Sequence, residues 1–567
     1  MMHSFRYGVL AAAFVFCGCQ DRAKDTGTTQ TTSALQTDQE AQAVATLENQ
    51  QDSGQCKTVL QQLDNLPSLA QRPVWSDAER NEIQSLLKLT NAEVSELNQQ
   101  GFSQLDAQYL SECLLIRAAV RSLRLESRPS LEQARLSFEW VCRMLYVDET
   151  IPWPVNPWLS LQSGYGVHLT RAYAVLATWQ QLGLTGCVVG PPSLKDSRSA
   201  TVDATDPTAP ATYAPVRACG IKIDKDVYLF DHVAGKPIAT ADGKGILTLA
   251  QARSNPTTIS GLKPADEAKD WRPYLAPPQA GLSRRMEWLE RFRPGNSAIK
   301  LHIDVLKQKA AFAGDLSGVA CDAWNPSGDE HTATRVLARI VNEEADARTK
   351  FPLRDVYRIR MIPLQHMPRT TLDGAPLEHL LQAFAQPFSM LRSAPNSPRD
   401  LMLRGQFQEA ISALESTKQG VDNARMRIER DKGIQKDFEK WAEVFRRLFA
   451  EVNIARSSNP AMVPAAMKAL EDFRSQPAAR DIERAFIMGN ASRPLAAEVT
   501  FLLAGCVQER AERAELDKSP QAAGHWTNAV EWWNRFLDAS QEARSPFPAR
   551  ELHARAQLAR CKQFAPK

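Results

Sequence analysis

Residues 168–183 constrain the fold more than any other stretch of the chain. Ala172, Val175, Leu176, Trp179 and Leu182 recur at helical spacing and form one apolar face that must be buried. Gly183 follows where a glycine helps close a helix. Val188-Val189 then reads as a strand, and residues 216–223 and 227–230 read as a hairpin around Asp224-Lys225-Asp226. Thr248 begins a short helix that includes Ala252. Helices followed by strands predict an α+β domain.

Upstream, residues 56–147 are helical in pattern. Val59, Leu60 and Leu63 open the run, and Leu86, Leu87 and Leu89 continue it. Tyr109, Leu110, Cys113, Leu114, Leu115, Ala118, Ala119 and Leu123 then mark an amphipathic helix. Ser130 is the expected N-cap of the next helix, with Glu132 in its first turn and Phe138, Trp140, Val141 and Leu145 on its apolar side. The proline-rich run IPWPVNPWLSLQSGYG, residues 151–166, is expected to be a loop, because proline breaks a helix interior. Residues 191–213, rich in Ser, Thr, Asp and Pro, are expected to form an exposed insertion.

Downstream, residues 291–397 read as a mixed connecting region with a strand around 356–362. From residue 398 the pattern is nearly all helical. Leu403, Gly405 and Phe407 resemble the tetratricopeptide turn, in which a glycine and an aromatic two places on let two helices pack. No repeat at a fixed period accompanies it, so 398–567 is a repeat-like helical domain. Its aromatic stripes, Trp441, Phe445 and Phe449 and then Trp526, Trp532, Trp533 and Phe536, read as core. Removing residues 398–567 is expected to leave a foldable N-terminal body.

The N-terminus reads as an export signal. Arg6 precedes an apolar run, residues 9–16, too short for the ~20 residues that span a bilayer. Cys17-Gly18-Cys19-Gln20 follows, the small-residue end of a signal peptide. Gly18 before Cys19 resembles a bacterial lipoprotein signal, with Phe16 where Leu is usual. The resemblance makes residues 1–19 the signal and Cys19 the lipidated residue. Gln20 after it resembles lipoproteins sorted to the outer membrane. Residues 20–55, dominated by Thr, Gln, Ala and Asp, read as a disordered tether with a reach of ~30 Å.

With 68 Lys+Arg against 65 Asp+Glu, the chain has no concentrated basic face for a nucleic acid. Cys56, Cys113, Cys142, Cys187, Cys219, Cys321, Cys506 and Cys561 are scattered, without CxxC or zinc-finger spacing. Disulfides Cys187–Cys219 and Cys113–Cys142 are open to an exported chain. The apolar neighbours of Cys142 and Cys506 favour buried free thiols. His366 and His379 stand alone, and neither a metal nor another cofactor is expected.

Residues 164–190, GYGVHLTRAYAVLATWQQLGLTGCVVG, and 227–238, VYLFDHVAGKPI, together resemble the core of transglutaminase-like domains, a papain-type scaffold. In that family a nucleophilic Cys begins the helix, an Ala lies four residues on and a Gly fifteen on. Here those positions hold His168, Ala172 and Gly183. The family's His-Ala-Trp corresponds to Arg217-Ala218-Cys219, and its Asp to Asp231. The resemblance therefore implies a degenerate triad of His168, Arg217 and Asp231. Arg217 cannot serve as a base near neutrality, so thiol acyl transfer through this triad is excluded. An Arg217–Asp231 bridge is expected instead. Cys219 or Cys187, with His168 or His232 as base, remains open as a displaced nucleophile.

With LSRRMEWLE added, the stretch resembles an uncharacterised family of large bacterial lipoproteins carrying a degenerate transglutaminase-like region. The resemblance implies fold and location. The expected function is a membrane-anchored envelope scaffold that binds a protein or peptide without catalysis. Its rivals are a Cys-dependent amide hydrolase or transferase and a structural component touching cell-wall polymer.

Overall fold

The computed structural model describes residues 53–66, 72–147, 157–197, 200–201, 212–256, 265–291, 299–315, 319–325, 391–392, 396–430, parts of 437–455, 458–542 and 548–566. The signal, residues 20–52 of the tether, the strand expected at 356–362, His366, His379, Trp441, Phe445 and Phe449 lie outside the described residues, and residues 53–55, expected in the tether, instead open the first helix. The fold is mixed α+β, mostly helical with a small sheet. No described helix is long and apolar enough to cross a membrane.

Five helices come first: α1 (Ser53–Asp64), α2 (Asp77–Leu87), α3 (Asn91–Leu97), α4 (Gln104–Ser122) and α5 (Ser130–Met144). Ser76, Thr90 and Ser103 start α2, α3 and α4 with reciprocal capping boxes to Glu79, Glu93 and Asp106. The expected cap of α5 is displaced by one residue. Pro129 is the N-cap and Ser130 the first helical residue, with no side-chain cap.

β1 (Tyr146–Val147) leads on, and after it α6 (Pro157–Ser163) corrects the expected loop. Pro157 opens this helix, where its missing N–H removes no helical hydrogen bond. β2 (Tyr165–Gly166) pairs in parallel with β1 and feeds α7 (His168–Gln181). α7 ends as its sequence predicts. Gly183 adopts φ +73°, and Leu184 N–H donates to the Trp179 carbonyl at 2.9 Å.

The sheet is built from β3 (Thr185–Gly190), β6 (Ala218–Ile223), β7 (Asp226–Asp231), β8 (Lys236–Pro237), β9 (Arg272–Leu275) and β10 (Asp322–Ala323), beside a separate ribbon of β4 (Ala200–Thr201) and β5 (Thr212–Tyr213). Its strand order is β10-β9-β3-β6-β7-β8. β6 and β7 form the predicted hairpin, with Asp224 left-handed at the turn. Alternation gives the sheet two buried faces. Cys219, Ile221 and Phe230 pack with α5 and α7, where the Phe230 ring lies 5.0 Å from Phe138 and 5.3 Å from Trp179. Cys187, Val189, Ala218, Val227 and Leu229 pack on the other side with α2.

α8 (Leu249–Ser254), capped by Thr248, packs on this sheet, α9 (Arg284–Arg291) packs with α1 and α4, and α10 (Val305–Asp315) returns to the sheet. Arg285 of α9 is buried against Asp106 of α4 at 2.9 Å. The C-terminal helices are α11 (Pro398–Leu403), α12 (Phe407–Arg430), α13 (Val463–Ser475), α14 (Pro477–Leu516), α15 (Ala522–Glu542) and α16 (Pro548–Phe564). The predicted turn joins α11 to α12. Gly405 has φ +77°, and a Cβ there would come within 2.6 Å of Ser122. Trp526, Trp533 and Phe536 are buried, as their stripe predicts, while Trp532 is half-buried against the same core.

The C-terminal helices do not pack as a separate body. Phe138, Trp179 and Phe230 belong to the same apolar core as Met402, Phe501, Cys506 and Trp533, so a cut at 398 divides one core. Buried ions cross the same seam. Glu498 is fully buried and bridges Arg392 and Arg550, each at 2.5 Å. Arg392 also donates to the Ser163 carbonyl, while Arg399 donates to Leu161 O at 2.9 Å and Met144 O at 2.7 Å. Arg143 of α5 pairs with Glu509 at 2.6 Å.

Burial alone would raise the Glu498 carboxyl, but Arg392 and Arg550 outweigh it and hold the group below its usual 4.5. A depressed folded pKa contributes stability above the unfolded value and loses it as pH falls. Glu498→Gln should therefore cost about 3–5 kcal/mol at pH 7, by leaving two buried guanidiniums uncompensated. The penalty should shrink below about pH 4.5, where the wild-type carboxylate is itself being protonated. Urea unfolding at several pH values measures it. A loss under about 1 kcal/mol at pH 7, the range of exposed pairs, would contradict the assignment.

Candidate functional site

α7 presents His168 at its first turn, after β2 and the N-cap Val167. Ala172, four residues on, is fully buried against the sheet. The His168 ring is half-buried and stands 5.8 Å, centre to centre, from the ring of His232 at the end of β7. The structure thus brings together His168 and His232, which the sequence reading separated into a triad position and an alternative base.

His232 is fully buried, and neither ring nitrogen meets a hydrogen-bond partner. Burial, then the neighbouring His168 and Arg171, pulls its pKa down to about 3. It is a neutral imidazole at pH 7 and a weak base.

Arg217 and Asp231 do not form the expected bridge. The Asp231 carboxylate turns into its own loop and accepts from the N–H groups of Val233 at 2.9 Å and Ala234 at 2.8 Å. The register explains the miss. Cys219 pairs with Phe230, so the same alignment sets Arg217 level with His232 and not with Asp231. Arg217 meanwhile extends the pairing of β3 and β6, donating its backbone N–H to Val189 O at 2.8 Å.

The side chain that organises the site is Arg171, which the sequence reading passed over. It lies one turn after His168 on α7 and is buried. Its guanidinium donates to the carbonyls of His232 at 3.0 Å, Val233 at 3.1 Å and Leu145 at 2.6 Å. One residue therefore ties α7 to the β7 turn and to the end of α5. Its signal was visible as a lone cation inside the apolar run HLTRAYAVLATW. Gly235 completes the turn with φ +71°, its Cα facing Cys142 and the Arg171 guanidinium.

The eight described cysteines are buried free thiols, so neither weighed disulfide forms. Burial pushes the thiols of Cys219 and Cys187 well above the usual value of 9.0. For Cys219, Cys142 and Asp231 add to the rise and Arg171 opposes it. Cys219 faces the helices and Cys187 the opposite side of the sheet, so the two do not share a site. A nucleophilic thiol needs the reverse environment, electropositive and accessible. Cys19 lies outside the described residues.

A cleft of about 320 Å³ opens beside the β7 turn, between the N-terminal elements and α16. Arg143, Arg171 and Arg560 line it, with Val233 and Leu552 exposed at 53% and 70%. Its cations are already engaged: Arg143 with Glu509, and Arg560 with Glu512 at 2.6 Å. Among the described residues, no group of three His, Cys, Asp or Glu side chains converges as a metal would require. Comparison with protein-family models, curated proteins and solved structures found no match to this chain.

Asp231→Ala should cost about 1–2 kcal/mol by orphaning two turn N–H groups, whereas Asp231→Asn, which keeps the accepting oxygen, should cost about half of that or less. Thermal unfolding of both variants distinguishes the turn from an ion pair. Equal losses would mean that the charge of Asp231 carries the interaction.

Proposed function

We propose that this chain is a lipid-anchored envelope protein that binds a protein or peptide on a degenerate transglutaminase-like scaffold, without covalent catalysis. The observation that carries the reading is the position of His168. It stands at the start of the buried helix, where the family's nucleophile would be, while every described thiol is buried. The helix, the β6–β7 hairpin and the turn after Asp231 support the scaffold assignment, in the order that the resemblance implies.

A site without a nucleophile retains its shape, and shape with backbone donors is what peptide recognition uses. The cleft beside the β7 turn, apolar at its rim and polar inside, suits a side chain or chain end of a partner. The lipid anchor at Cys19 and the 20–55 tether would hold this surface off a bacterial membrane, in our reading the outer one. An enzyme using Cys219 or Cys187 would need either thiol to become accessible and acidic, against the burial that each now has.

Residue-resolved alkylation of the reduced protein between pH 6 and pH 9 tests the non-catalytic reading. Cys219 and Cys187 should label at least tenfold more slowly than after unfolding, at every pH. Fast labelling of either below pH 8 would restore the enzyme. Cys19→Ser should move the protein from the membrane to the soluble fraction; continued membrane association would remove the anchor from the account.

A further inference from the structure

We propose that the His168–His232 pair at the start of α7 receives a carboxylate group. The site rests on its own geometry, and only the source of the carboxylate, a peptide C-terminus, rests on the peptide-binding reading above. His232 is wholly buried with both ring nitrogens unpartnered, an arrangement that in a folded protein calls for a ligand or water to complete it. Its ring lies beside that of His168, the first residue of a 14-residue helix. Val167, the N-cap, offers that helix no side-chain acceptor. The first-turn N–H groups of a helix carry partial positive charge and form a ready anion site.

The surrounding charges favour an anion as well. Arg171 is the nearby cation, and it acts on His232 together with His168. The neighbouring carboxylate, Asp231, is turned away into its loop and accepts from Val233 and Ala234. A metal ion would meet two imidazoles and a helix start with no anionic ligand among these groups, and an apolar ligand would leave the nitrogens unpaired. A phosphate would demand several guanidinium donors, and both Nη atoms of Arg171 already donate to three carbonyls. A carboxylate offers two acceptor oxygens and a single charge; it takes the one N–H that neutral His232 donates, and the other ring nitrogen stays an acceptor. His168, being half-buried, is the side of the pair from which a ligand enters.

Full-length protein in detergent, with its 9 histidines labelled in the ring nitrogens, is titrated with three probes. These are acetate, a random hexapeptide pool with free C-termini, and the same pool amidated. The His232 ring signals should shift with acetate and with the free-acid pool, and not with the amide. His232→Phe should melt no lower than the parent when no probe is present, since it removes nitrogens that have no partner, yet lose the probe-induced rise in Tm. His168→Gln, at a more exposed position, should weaken binding at least tenfold and guards against a misfolded His232→Phe.

A response to acetate alone upholds the carboxylate site with a small free acid as ligand, and sinks the peptide as its source. Equal binding of both pools with silent acetate leaves a peptide groove standing and overturns the carboxylate site. Unmoved His232 signals with all three probes, or probe binding unchanged in both variants, overturns it too.

Discussion

The structure depends on a carboxylate held between two guanidiniums inside a shared core: Glu498, bridged by Arg392 and Arg550. Burying three charged groups costs several kcal/mol each, and the cost is offset only if partners are complete and well aligned. Here they reach beyond the triad. Arg392 continues to Ser163, and the Arg550 guanidinium lies 4.1 Å from the centre of the Phe501 ring. Arg399, whose two hydrogen-bonded oxygens are carbonyls, is brought down by burial and by Arg392 to a pKa of about 10, which still leaves it charged at neutrality. Guanidinium suits these positions because its planar fork can hold several oxygens at once.

These contacts converge on one short piece of chain. Met144, Leu161 and Ser163 accept from the C-terminal arginines, and they flank β1 and β2, the strands that deliver the chain into α7. α7 answers with Arg171, whose bonds run back to Leu145 and across to the turn beyond β7. The placement of His168 against His232 is therefore set by both halves of the protein. A segment held from both sides leaves the start of α7 little conformational freedom.

Much of this fold was legible in the residues. Periodicity located α4 and α7, the aromatic stripe located α15, and Gly183 and Gly405 marked turns that need a left-handed residue. The alternation around Asp224 located the β6–β7 hairpin. Local chemistry misled where a residue had two readings. Pro157 opens a helix instead of forbidding one, and Ser130 lies one place inside the helix it was expected to cap. What could not be read locally were long-range partners. Asp231 looked like a partner for Arg217 because spacing along strands does not reveal register, and one step of register separates a bridge from a turn cap. The packing across residue 398 was illegible for a related reason. Apolar faces on α11 and α14 announce burial without saying against what, and they pack on α4, α5 and α6 as one core.

The central claim is that the C-terminal arginine–glutamate clasp holds the site at the start of α7 in place. Hydrogen–deuterium exchange on the full chain, comparing the parent with Glu498→Gln under native conditions, tests it most directly. The account predicts faster exchange in residues 144–147, 161–166 and the first turn of α7 together with the middle of α14, as one cooperative unit. Loss of protection confined to α14 and α16, with the α7 start unchanged, would contradict it.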